Sequence, residues 1–95
     1  MPENSDTMNL LSQISAGDQR PFADLFSLYR DRLKQMLAHR MDHRLQKRVD
    51  LSDILQDVYI DALKRVQHYL AKPDYSFYVW LRQVAMQRLI EVHRQ

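Results

Sequence analysis

The chain has 95 residues, 45% of them apolar and 27% charged, with one glycine, three prolines and no cysteine. That length suits one small domain with one modest core, and the apolar share is that of a globular chain, not a disordered one. Lack of cysteine excludes a disulfide framework, a thiolate metal site and a cysteine nucleophile. No apolar run approaches the roughly 20 residues of a membrane-spanning helix. Met1 to Gly17 has neither a basic lead nor a continuous apolar block, so the expectation is no secretory signal and a cytoplasmic protein.

Net charge is only +2, but the charges are segregated. From Arg30 to Arg48 there are seven Lys or Arg against two Asp, and from Asp50 to Asp61 four Asp with no Lys or Arg. Lys64, Arg65, Lys72, Arg82, Arg88 and Arg94 follow. Separate basic and acidic faces fit one anionic and one cationic partner, or two solvated helix faces.

Apolar spacing is helical nearly throughout. Asp6 to Ala16 carries Met8, Leu11 and Ile14 at three-residue steps, and Gly17 is placed to end that helix. Asp18 can cap a second helix from about Gln19 to Met41, with Pro21 in its first turn. Its stripe is Phe22, Leu25, Phe26, Tyr29, Leu33, Met36, Leu37 and Met41. Asp42 to Val49 reads as a polar, basic connection. Asp50 or Ser52 starts a third helix whose inward residues run from Leu51 to Leu70. Lys72, Pro73 and Asp74 interrupt the pattern, and Ser76 caps a fourth helix through Phe77, Trp80, Leu81, Val84, Ala85, Leu89 and Val92. The expected fold is all-α, a compact bundle of about four helices forming one domain over residues 1–95.

His39 and His43 lie four apart on one helix face, as zinc-binding histidines do, but no third ligand accompanies them and no glutamate follows the first, so they read as surface histidines in a basic turn. Asp53, Asp57 and Asp61 recur every four residues on one face. Like charges at that spacing repel by about 0.2–0.5 kcal/mol per pair, so an acidic row with no Lys or Arg interspersed suits a cationic protein partner. A carboxylate metal centre would need matching Glu-x-x-His pairs, which the sequence lacks. No Ser/His/Asp arrangement or glycine-rich phosphate loop is present, and no enzyme and no cofactor is expected. The last helix and the preceding loop interleave aromatic and basic groups: Tyr69, Lys72, Tyr75, Tyr78, Arg82, Gln87 and Arg88. Phe77 and Trp80 are the aromatics expected in the core, while Tyr75 and Tyr78 fall off the stripe. Exposed aromatics beside cations suit stacking on unpaired bases with phosphates held alongside, and a glutamine amide can pair with an adenine edge.

These residues together resemble a known family. Leu10, Leu11, Ile14, Gly17, Asp18, Pro21, Phe22, Leu25, Phe26 and Tyr29, in that order, resemble the opening of bacterial extracytoplasmic-function (ECF) sigma factors of the sigma-70 family. The block from Asp50 to Tyr59 looks like their segment that docks on RNA polymerase. The block from Ser76 to Ala85 resembles the stretch that melts and reads the −10 promoter element. The likeness runs over about residues 9–94 and implies a non-enzymatic module with two partners. Asp53, Gln56, Asp57 and Asp61 would dock on the coiled coil of the β′ clamp of core RNA polymerase. Lys72, Tyr75, Tyr78, Arg82, Gln87 and Arg88 would bind the non-template strand of promoter DNA at the −10 element. The loop from Leu70 to Tyr75 would hold a flipped-out base, and Arg40 to Arg48 would hold phosphates. An anti-sigma factor is a further partner of such proteins. Gln87 stands where many relatives have asparagine, and Tyr78 where arginine is common. The chain stops where a linker and a second helical domain, for the −35 element, follow in relatives. The competing readings are a helical protein-interaction module without DNA function and, more distantly, a metal-dependent bundle enzyme.

Overall fold

Apolar side chains at steps of three and four wind the chain into five helices in the computed structural model, which describes residues 5–94. The domain expected over 1–95 therefore has its two extremities, Met1 to Asn4 and Gln95, outside the described residues. The helices are α1 (Ser5–Ser15), α2 (Phe22–Arg40), α3 (His43–Arg48), α4 (Leu51–Ala71) and α5 (Phe77–His93). Among the described residues there is no strand, and no helix is long and apolar enough to cross a membrane. The fold is an all-α bundle.

Three long helices make the body. The α4 helix packs against both α2 and α5, which also touch each other, and α1 lies across α2 and α4. Phe22, Leu25, Leu33 and Leu37 of α2 meet Ile54, Val58, Ala62 and Val66 of α4 and Phe77, Leu81 and Ala85 of α5, all fully buried. Burying each large side chain of this kind contributes about 1.5–3 kcal/mol. Phe22 and Phe77 centre an aromatic cluster: their rings meet edge-on at 6.4 Å, and Tyr59, Tyr29, Tyr69 and Trp80 pack around them.

The ends of the helices follow from local chemistry. Gly17 adopts φ +106, its N–H bonding to the Ile14 carbonyl and that of Asp18 to Gln13. This pair of bonds satisfies the last carbonyls of α1 and needs a residue that tolerates positive φ. Asp50 caps α4 by accepting from the Ser52 N–H at 2.9 Å, and Ser76 caps α5 through Val79. Gln67 reaches from α4 to the Ile14 carbonyl at 2.7 Å, tying down the end of α1.

Four expectations are corrected. The connection from Asp42 to Val49 contains α3, capped by Asp42 through the Arg44 N–H and anchored by buried Leu45. One apolar residue in six leaves no periodicity to detect. Second, α2 begins at Phe22, not Gln19, because Asp18 accepts from the Arg20 N–H to form a turn of its own, and a residue before proline disfavours helix. Third, α1 buries Thr7, Leu11 and Ile14 and leaves Met8 exposed. The Thr7 hydroxyl bonds to the Tyr29 hydroxyl at 2.8 Å, so a polar residue takes the inward place. Fourth, Trp80 is only half-buried, stacked on Tyr69 at 4.8 Å, whereas Phe77 is in the core as expected.

Candidate nucleic-acid and partner interface

The α4 helix presents Asp53, Gln56 and Asp57 to solvent one turn apart, as their spacing predicts. Beside Gln56 a cleft of about 370 Å³ runs between α2 and α4, walled by Phe26, Ser27, Arg30, Leu55 and Tyr59. Asp61 continues the row but turns inward. Its Oδ2 accepts two N–H groups of Arg88, from Nε at 2.9 Å and Nη2 at 2.6 Å, and Arg88 also reaches Glu91 at 3.3 Å. Both partners are more than two-thirds buried, with side chains 19% and 27% exposed. The Asp61 hydrogen bonds push the Arg88 guanidinium further above its ordinary value, against the desolvation that would lower it. The acidic row is thus split: two exposed carboxylates with no ion pair among the described residues, and one tying α4 to α5. This corrects the reading of an acidic row whose members all seek an external cation. The row's missing cation at Asp61 comes from α5.

The outer face of α5 forms a groove of about 410 Å³ lined by Val79, Arg82, Gln83, Met86, Gln87 and Ile90, with Arg40 from the end of α2 on its rim. Val79 and Ile90 are exposed apolar side chains. The groove combines apolar floor with cations at its edge, a surface on which bases can lie while phosphates are held. Of the residues sequence reasoning assigned to DNA, Arg82 and Gln87 lie on it, and Arg88 does not. Gln87 is also held: its Oε1 accepts from Arg65 of α4 at 2.9 Å.

The remaining candidates surround the α4–α5 loop. Tyr75 is exposed and, with Leu70, Pro73 and Tyr69, forms one wall of a second cleft of about 410 Å³. The other wall is α1, through Met8, Leu11, Ser12 and Ser15. The Tyr69 hydroxyl donates to the Tyr75 carbonyl at 2.5 Å, which fixes the loop backbone over the core. Lys72 is exposed at the loop's start. Tyr78 is half-buried and its ring is engaged: Arg32 lies over it at 3.9 Å from the centroid, and Tyr29 stacks near-parallel at 5.8 Å. That cation–π contact is of a kind worth about 0.5–2 kcal/mol.

Sequence reasoning missed several of these groups. Val79, Gln83, Met86 and Ile90 recur at helical spacing off the core stripe, and that second stripe was a legible signal. Arg32, Arg65 and the α1 wall carried none, since each acts across helices. His39 and His43 do not share a helix, because α2 ends at Arg40 and α3 begins at His43. Among the described residues no three His, Asp or Glu gather where they would hold a metal ion.

Fold and surfaces together define a small helical domain with an exposed acidic face and a basic, apolar groove on neighbouring helices. The family model for Sigma-70 region 2 matches residues 25–95, and the chain belongs to that family, one that implies binding to core RNA polymerase and recognition of the −10 element. The match starts within α2, so α1 precedes it. No curated protein and no solved structure matches the chain.

Proposed function

We propose that this chain is the second domain of an ECF-type sigma factor, which brings core RNA polymerase to a promoter in the cytoplasm and opens its −10 element. Asp53, Gln56 and Asp57 dock on the coiled coil of the β′ clamp. Asp61 supports that helix from behind through Arg88. The non-template strand lies along the α5 groove, with Arg40 and Arg82 on phosphates and Gln87 on a base edge. A base flipped from the duplex enters the cleft beside Tyr75, where stacking and hydrogen bonds offset the few kcal/mol that unstacking costs. One observation carries this reading: within the segment matched by the family model, an unpaired carboxylate face and a cationic groove sit on neighbouring helices.

The test is a titration of the chain against bacterial core RNA polymerase, wild type beside the double variant Asp53→Arg/Asp57→Arg. Both positions are exposed, so the helices should survive. Micromolar or tighter binding that the variant loses supports the reading. Absence of binding by both proteins, with helicity intact, overturns it in favour of an interaction module with another partner.

A further inference from the structure

A free glutamine amide can serve an adenine bidentately, its carbonyl accepting from the exocyclic amine while its N–H donates to a ring nitrogen. Gln87 is not free. A guanidinium carries only donors, so the group that meets Arg65 at 2.9 Å must be the carbonyl oxygen of the amide. The Gln87 N–H2 makes no hydrogen bond among the described residues, whereas its carbonyl keeps only the second of its two lone pairs. Arg40 and Arg82, the charged groups on the same groove, are donors only.

We propose that Arg65 is a positioning residue that holds the Gln87 carbonyl toward α4 and leaves its N–H2 to the groove, so that the base facing it is selected for a keto oxygen. Thymine and guanine present such an oxygen. Adenine and cytosine would bring an amine to a carbonyl that Arg65 already shares and holds toward α4, so their hydrogen bond there is the weaker one. The inference rests on the reading of the α5 groove as the seat of the −10 strand and deepens it. It reverses the adenine pairing that Gln87 suggests in isolation.

The experiment uses the full chain bound to core polymerase and two single-stranded decamers of mixed sequence. They differ only in that every adenine of one is hypoxanthine in the other, which swaps the amine for a keto oxygen, and the N1 acceptor for an N1–H, without changing ring size. The quantity measured is the ratio of the two affinities, because losing the Arg65 charge weakens binding to both strands alike. Gln83, one turn earlier, keeps both amide functions, and it contributes equally to wild type and variants. Wild type is expected to favour hypoxanthine. Arg65→Met, on an exposed position where methionine is a good helix former, should move the ratio toward adenine by about fivefold, the worth of one ordinary hydrogen bond. Arg65→Lys, which still donates, should restore most of the wild-type ratio. With Gln87→Ala in place, adding Arg65→Met should no longer move the ratio.

Binding of both decamers with a ratio that Arg65→Met leaves unchanged overturns the role of Arg65 and leaves the strand-binding reading standing. Polymerase-bound chain that holds neither decamer overturns that reading, and the present inference with it.

Discussion

At the scale of single residues, the two aromatics that open α5 illustrate how far a helical stripe can be trusted. Phe77 and Trp80 are three apart, about 60° round the helix from each other, and both fit the apolar spacing. Phe77 points to the centre and is fully buried, while the indole of Trp80 straddles the edge and keeps one side wet. Phe77→Ala should therefore cost about 3–5 kcal/mol. Trp80→Ala should cost less, about 2 kcal/mol, since part of its surface is never withdrawn from water. Urea unfolding of the two variants checks the order, and equal losses would place Trp80 in the core after all. Tyr78 was legible as an off-stripe aromatic, but its engagement by Arg32 was not, because α2 supplies that cation from 46 residues earlier in the sequence.

At the scale of elements, the helices were readable because their stripes and caps agree: Gly17 after α1, Asp50 before α4, Ser76 before α5. The short α3 escaped because six residues with one buried leucine carry too little periodicity. Two predictions belong here. Replacing Gly17 by alanine brings the new methyl into open space, with nothing within 4 Å, yet forces it to φ +106. The expected loss is about 1 kcal/mol from backbone strain alone, measured by thermal or urea unfolding. Asp61→Ala removes the acceptor from a largely buried guanidinium and should cost about 1–3 kcal/mol, whereas Asp53→Ala on the same helix should stay within about 0.5 kcal/mol. A double-mutant cycle with Arg88→Met should show coupling between Asp61 and Arg88. Additivity would mean that the pair contributes no more than an exposed surface contact.

For the whole molecule, what the linear sequence held was the charge segregation, and what it withheld was the partitioning of those charges between internal and external partners. Asp53 and Asp57 could be assigned to an exposed face from their spacing. Asp61 could not, because its partner lies 27 residues away on another helix, and the pair is decided only when α4 meets α5. The same meeting ties Gln87 to Arg65 and removes Arg88 from the groove. Binding of single-stranded DNA should therefore respond to salt through Arg40 and Arg82 and scarcely through Arg88. Arg82→Ala should reduce the magnitude of the slope of log affinity against log salt by about 0.7, while Arg88→Met should leave it nearly unchanged. Equal slopes for Arg82→Ala and wild type would remove Arg82 from the phosphate path.

The stacking of Trp80 on Tyr69 has an optical consequence. This is the only tryptophan in the chain, and Tyr69 beneath it is hydrogen-bonded to the loop that carries Tyr75. Ultraviolet emission from the free protein therefore reports on one small region, without a label. A ligand seated in the cleft beside Tyr75 should quench or shift that emission, whereas one confined to the far end of α5 near Ile90 should leave it dark to the binding event. Unfolding should move it to the red. One intrinsic chromophore thus separates occupancy of the loop from occupancy of the distal helix in a single titration.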